Sequence, residues 1–238
     1  MTIDVSTVML PKDIPPGAYL IGHDGGPVGR GIYRADQIPF PNVTEPLAGC
    51  SHAMYWSGDP NLPIAEASMH GIAGNTLAGA IKLNKLDHII VCVPPKEWLK
   101  ITQANAAYYL AQHQRYALLQ LLMLHRACRI RHMTVTNPDT RAWAYKQLQR
   151  EADILSMLYP PSHLAMVCSE LLYRIFTPMD LATGAPTGAP LLPVPTFYQD
   201  AEPDPQYPIS PYFPTPGNLL MVNVPGMQRY TLYLGGLS

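Results

Sequence analysis

Apolar and polar positions in the first third of the chain fall in short runs separated by turn formers, the pattern of strands. Gly17 to Gly22 reads as a short strand, and the glycine cluster Gly22 to Gly31 (with Gly25, Gly26 and Gly29) as a loop. Cys50-Ser51-His52-Ala53-Met54-Tyr55-Trp56 and Leu62-Pro63-Ile64-Ala65-Glu66-Ala67 flank Ser57-Gly58-Asp59-Pro60-Asn61, which predicts a β-hairpin with a loop of about five residues. A turn centred on Asp59 sets Trp56 opposite Leu62, Met54 opposite Ile64 and His52 opposite Glu66. Pro63 gives no ladder donor, which predicts an irregular or edge second strand. Asp87 to Val93 is continuously apolar after its first two residues and stops at Pro94-Pro95, so it reads as a buried strand with Cys92 in the core.

The period then changes to that of helices. Glu97 to about Arg131 is helical in pattern, with Trp98, Ile101, Ala104, Tyr108 and Ala111 on one stripe. Leu118-Leu119-Gln120-Leu121-Leu122-Met123-Leu124 is apolar nearly all round and reads as a buried core helix, too short to cross a membrane. Thr136-Asn137-Pro138-Asp139 is a turn, and Thr140 to Leu158 a helix stopped by Pro160-Pro161. The apolar run His163 to Val167 then leads into an amphipathic helix from Ser169 to Phe176. Strands first and helices after give an α+β fold, an antiparallel sheet packed on helices, over residues 1–182. From Thr183 to Gly217 prolines recur too often for helix or central sheet, while Phe197, Tyr198, Tyr207, Tyr212 and Phe213 are too aromatic for a free linker. An extended arm packed on the domain is expected, followed by a hairpin of Leu219–Val224 and Arg229–Leu234 around Pro225-Gly226, so that 183–238 form an extension of the domain.

Composition narrows the function. Of 238 residues 47% are apolar and only 14% charged, with a net charge of −1, so a basic surface for nucleic acid is not expected. Cys50, Cys92, Cys128 and Cys168 are widely spaced and the eight histidines unpaired, so neither a metal site nor a cofactor is expected. Met1-Thr2-Ile3-Asp4-Val5 has no basic stretch followed by an apolar one, which predicts synthesis in the cytoplasm without a signal peptide. No apolar run is long enough for a transmembrane segment.

Among the cysteines Cys168 stands apart, because it falls where a helix begins. There the unpaired backbone N–H groups and the positive end of the helix dipole favour thiolate, hence a nucleophile. A buried structural cysteine is the plainer reading of such a residue taken alone. His52 supplies a base on a strand, and Glu66, paired across the hairpin, a carboxylate to fix the ring's tautomer. His70 is the substitute for either role.

The Cys168-Ser169-Glu170-Leu171 box, Ser51-His52-Ala53 on a strand and the following Glu66-Ala67 resemble the circularly permuted NlpC/P60 cysteine peptidases. These are papain-like hydrolases of the YiiX-like type, in which the histidine strand precedes the cysteine helix. The resemblance runs from about Gly17 to Asp180, including Thr177-Pro178-Met179-Asp180-Leu181 after the cysteine helix. Gly17-Ala18 replaces the Gly-Asp that commonly opens the first strand, and the proline-rich extension has no counterpart. The resemblance implies amide hydrolysis by Cys168, His52 and Glu66, with peptidoglycan stem peptides or related small amides as substrate. With no signal peptide it further implies export by a signal-independent secretion system into a target cell's periplasm, as an antibacterial effector with a cognate immunity protein. The related lecithin:retinol acyltransferase-like proteins imply a lipid acyltransferase or hydrolase as the alternative. A non-catalytic binding module on the same fold is the third reading.

Overall fold

The computed structural model describes residues 7–24, 30–32, 50–112, 115–159, 165–199, 202–203, 206–222 and 224–235. The glycines expected to form a loop at 25, 26 and 29 lie outside these residues. So do the prolines at 160 and 161, His163, Leu164 and Asn223.

The fold is α+β. A mixed seven-stranded sheet runs in the order β1-β11-β6-β2-β3-β4-β5. Its strands are β1 (Val8–Met9), β2 (Tyr19–Asp24), β3 (His52–Trp56), β4 (Ile64–Ser68), β5 (Gly71–Asn75), β6 (Leu86–Val93) and β11 (Gln228–Leu232). Every pairing is antiparallel except β1 with β11, which is parallel. Two short ladders lie outside it: β7 (Arg115–Tyr116) with β8 (Ala165–Met166), and β9 (Tyr198–Gln199) with β10 (Glu202–Pro203). The helices are α1 (Leu77–Asn84), α2 (Leu99–Ala111), α3 (Leu118–Thr136), α4 (Arg141–Leu158), α5 (Cys168–Ile175) and α6 (Pro216–Leu220).

Side-chain alternation along the strands divides the core in two. Leu20, Met54, Ile64, Ile89 and Val91 pack with Leu77 and Ala80 of α1 and Leu232 of β11. Tyr19, Ile21, Ala53, Tyr55, Ile90 and Cys92 pack with α2 to α6. In this larger core Phe176, just past α5, meets the rings of Tyr19, Tyr55 and Trp98 edge-on at 5.4, 6.1 and 6.1 Å. Such contacts add about 0.5–1.5 kcal/mol per pair beyond the buried area.

Several expectations need correction. The β3–β4 hairpin has Met54 opposite Glu66 and Trp56 opposite Ile64, two residues away from the expected register. The loop is longer because Pro63 cannot join the ladder, and because the Asp59 carboxylate accepts from the backbone N–H groups of Asn61 and Leu62. A two-residue shift leaves His52 and Glu66 on one sheet face as diagonal neighbours. On α2 the buried residues are Thr102, Asn105, Ala106 and Tyr109, one position along from the expected stripe. Polar groups set that rotation: Tyr55 donates to Thr102, and Asn105 Nδ2 donates to the carbonyls of Ile175 and Thr177.

The leucine run is not a buried helix. A run of seven residues, six of them apolar, cannot all face inward at 3.6 residues per turn, and α3 turns Gln120, Leu124, Ala127, Cys128 and Arg131 to the core. Leu118, Leu119 and Leu122 are exposed. The expected amphipathic helix after Val167 is instead buried on every side, its Glu170 and Arg174 bonded to each other. The hairpin expected at 219–234 does not form either. Pro216–Leu220 is a helix, opened by a Thr215/Asn218 capping box with Pro216 in its first turn. Only the second segment is a strand, and it lies inside the main sheet between β6 and β1.

The proline-rich segment has little regular structure, but its Leu192, Val194, Phe197, Tyr212 and Phe213 belong to the larger core. Buried Arg131 of α3 holds it: Nε donates to Thr196 O at 2.6 Å and Nη1 to Asn218 Oδ1 at 2.9 Å. Asn105, Arg131 and the capping box thereby satisfy backbone groups that irregular chain would otherwise bury unpaired.

Candidate active site

The site is assembled by three elements. β3 begins at His52, β4 carries Glu66 near its middle, and α5 begins at Cys168, with Val167 extended as its N-cap. Helix α5 packs across β3 and β4, which brings its first residue to the sheet end where His52 lies. The Cys168 thiol thus stands at the positive end of a helix whose first backbone N–H groups have no partner within it.

His52 Nε2 is 2.8 Å from Glu66 Oε2, and the Cys168 side chain lies close enough to the imidazole to act on its charge. Burial of His52 works against its charged form, but the charge of Cys168 and then Glu66 outweigh it and raise the imidazole to about 10.

Glu66 is held from its other side by two amides that the sequence did not suggest. Asn75 Nδ2, at the end of β5, donates to Oε1 at 2.9 Å. Asn84 Nδ2, the last residue of α1, donates to Oε2 at 2.7 Å and also to Ala80 O at 3.1 Å. Burial raises this carboxyl, yet the His52 contact and the two amides together hold it below its ordinary value. The only signal for Asn75 in the sequence is indirect. Ala73 faces Glu66 across β4 and β5, so Asn75 is a diagonal neighbour once that register is known. Asn84 has no such signal, because the segment 69–86 has no chemistry-bearing motif.

The expected residues Cys168, His52 and Glu66 are therefore brought together. His70 is not: it lies exposed in the turn between β4 and β5. Glu170 of the cysteine box also stays outside the constellation. It pairs with Arg174 at 2.5 Å, and that guanidinium lies over the Tyr212 ring of the proline-rich segment at 5.3 Å. Cys50, Cys92 and Cys128 are buried thiols, and burial pushes Cys92 up to about 11. Among the described residues no group of three or more His, Cys, Asp or Glu is arranged to hold a metal ion, and no helix is long and apolar enough to cross a membrane.

The arrangement is that of a nucleophile, a base and an orienting carboxylate in that order, able to move one proton from sulfur to nitrogen and back. It is also closed, since Cys168 is 3% and His52 6% exposed. Comparison with protein families, curated proteins and solved structures returned no match for this chain.

Proposed function

We propose that the chain is a cysteine hydrolase acting on amide bonds, on a permuted papain-like scaffold of the NlpC/P60 type. The observation that carries this reading is the position of His52, hydrogen-bonded to the Glu66 carboxylate and beside the Cys168 side chain at the start of α5. In the reaction the Cys168 thiol gives its proton to His52, and the sulfur attacks the substrate carbonyl. The oxyanion forms beside the N-terminus of α5, where the backbone N–H of Cys168 is a donor. His52 then protonates the leaving amine, and the C–N bond breaks to leave a thioester. Water, deprotonated by His52, attacks that thioester and releases the acid and the thiol. Glu66, fixed by Asn75 and Asn84, keeps the imidazole in register through both halves.

The resemblance of the cysteine box and histidine strand supports peptidoglycan stem peptides as substrate, with the periplasm as the place of action and an immunity protein as partner. A lipid acyl substrate is the second reading. It is favoured by the leucines and arginines exposed on α3, and the same Cys168–His52 pair would serve it. Incubating the protein with muropeptides and, separately, with phospholipids, then analysing products by mass spectrometry, discriminates the two. Loss of a stem-peptide fragment with wild type and none with Cys168→Ala supports the amidase. Products from neither substrate, or equal products from Cys168→Ala, would overturn both.

A further inference from the structure

The antiparallel pair α3–α4 carries a surface that the site does not use. Arg126 of α3 bonds Glu151 of α4 at 2.7 Å, which fixes the pairing and brings the start of α3 beside the end of α4. At that end Leu118, Leu122 (71% exposed), Ile154, Met157 (72%) and Leu158 face solvent, and Trp143 (60%) does so towards the other end. On α3 the exposed positions 118, 122, 126, 129 and 133 recur every three or four residues, a single helical stripe. On α4 the positions 143, 146, 150, 154 and 157 do the same.

Cations fill the stripes between the apolar ends. Arg115, Arg129, Lys146 and Arg150 are exposed besides Arg126, which Glu151 pairs, against exposed Asp139 and Asp153 over 115–158, in a chain of net charge −1. Local positive charge is thus concentrated where large apolar side chains are exposed, whereas an ordinary solvated helix pair intersperses both signs and keeps leucines inside. Apolar residues with a tryptophan, interleaved with arginines on long stems, match the boundary between acyl chains and anionic headgroups.

We infer that the outer face of α3–α4 docks the protein on an anionic lipid surface, lying in its plane with the leucines and Met157 inserted and the arginines at headgroup level. A second copy fits less well, because a two-fold pairing of this face would set like charges against each other. The outer sides of two helices are convex and need no shaped partner to lie on a bilayer. The inference concerns a surface separate from Cys168 and stands whichever acyl substrate the site takes.

Cys168→Ala protein, mixed with vesicles of phosphatidylglycerol and phosphatidylcholine or of phosphatidylcholine alone, tests it by co-sedimentation. Binding to the anionic vesicles only, weakened by salt, is expected. Leu122→Glu with Met157→Glu should lower that binding on the order of tenfold, as should Arg129→Glu with Arg150→Glu. Circular dichroism checks that these exposed substitutions leave the fold intact. No vesicle binding, or equal binding by the variants, would overturn the inference. So would a dimer in analytical ultracentrifugation that Leu122→Glu/Met157→Glu separates, if no lipid is bound.

Discussion

At the residue scale, His52 is a base whose ordinary titration has been displaced, and this has a readable consequence for stability. Burial disfavours its charge, but Cys168 and Glu66 reverse the balance and raise it from 6.5 to about 10. A group raised on folding stabilises fully below its unfolded value, so the His52 contribution is complete below pH 6.5 and is lost as pH climbs through about 10. Glu66 is shifted the opposite way, so its contribution is present above 4.5 and lost as acid protonates the folded carboxylate. Urea midpoints measured across pH should therefore be highest between these limits, and Cys168→Ala should flatten the alkaline fall. In the same variant the His52 ring should titrate lower by NMR, because its larger stabilising partner is gone; an unchanged midpoint would mean that Glu66 alone sets the shift. Activity should follow the hydrogen-bond order. Cys168→Ala should abolish turnover at a stability cost of no more than about 1–2 kcal/mol. Glu66→Gln should reduce kcat roughly a hundredfold, and Asn84→Ala less, with KM little altered, since both position the ring and neither reacts.

At the element scale the joint behind α1 matters most for the site. Lys85, the residue after Asn84, has φ +50, the sole positive φ among non-glycine residues described. This left-handed cap ends α1 and turns the chain into β6 with Asn84 aimed at Glu66. Lys85→Gly should stabilise by roughly 0.5–1 kcal/mol in thermal unfolding and preserve activity, whereas Lys85→Val should lower both. Arg131 is the corresponding joint for the proline-rich segment. Arg131→Leu should leave Thr196 O and Asn218 Oδ1 without this donor, cost about 3 kcal/mol, and speed proteolysis between 183 and 218. The hairpin, the buried strand ending at Val93, the α4 span and the start of the cysteine helix were readable, because period and turn residues agree there. The hairpin register was misjudged because Pro63 and the Asp59 turn lengthen the loop. Residues 69–86 carried no motif, so β5, α1 and both supporting asparagines were missed. The exposure of Leu118, Leu119 and Leu122 could not be read from an all-apolar run, because only packing decides which side of such a helix turns inward.

For the whole molecule, burial of Cys168 governs access. With Cys168 at 3% exposure, alkylation by iodoacetamide should proceed only through an open form. Its rate, followed by peptide mass spectrometry, should level off as reagent rises; a strictly linear increase would show that the closed site already admits it. The sheet's connectivity has a consequence of another kind, in time. Among the described residues β1, near residue 8, pairs only with β11, near residue 230, and β11 fills the place between β1 and β6. During synthesis β1 must therefore wait until Thr231 and Leu232 have been made. Until then the edge of β6 that β11 will cover stays open, a row of unpaired donors and acceptors beside an apolar core. A ribosome that stalls before Gln228 would release a molecule with Cys168, His52 and Glu66 already in the chain and its sheet still unclosed, a ready template for aggregation.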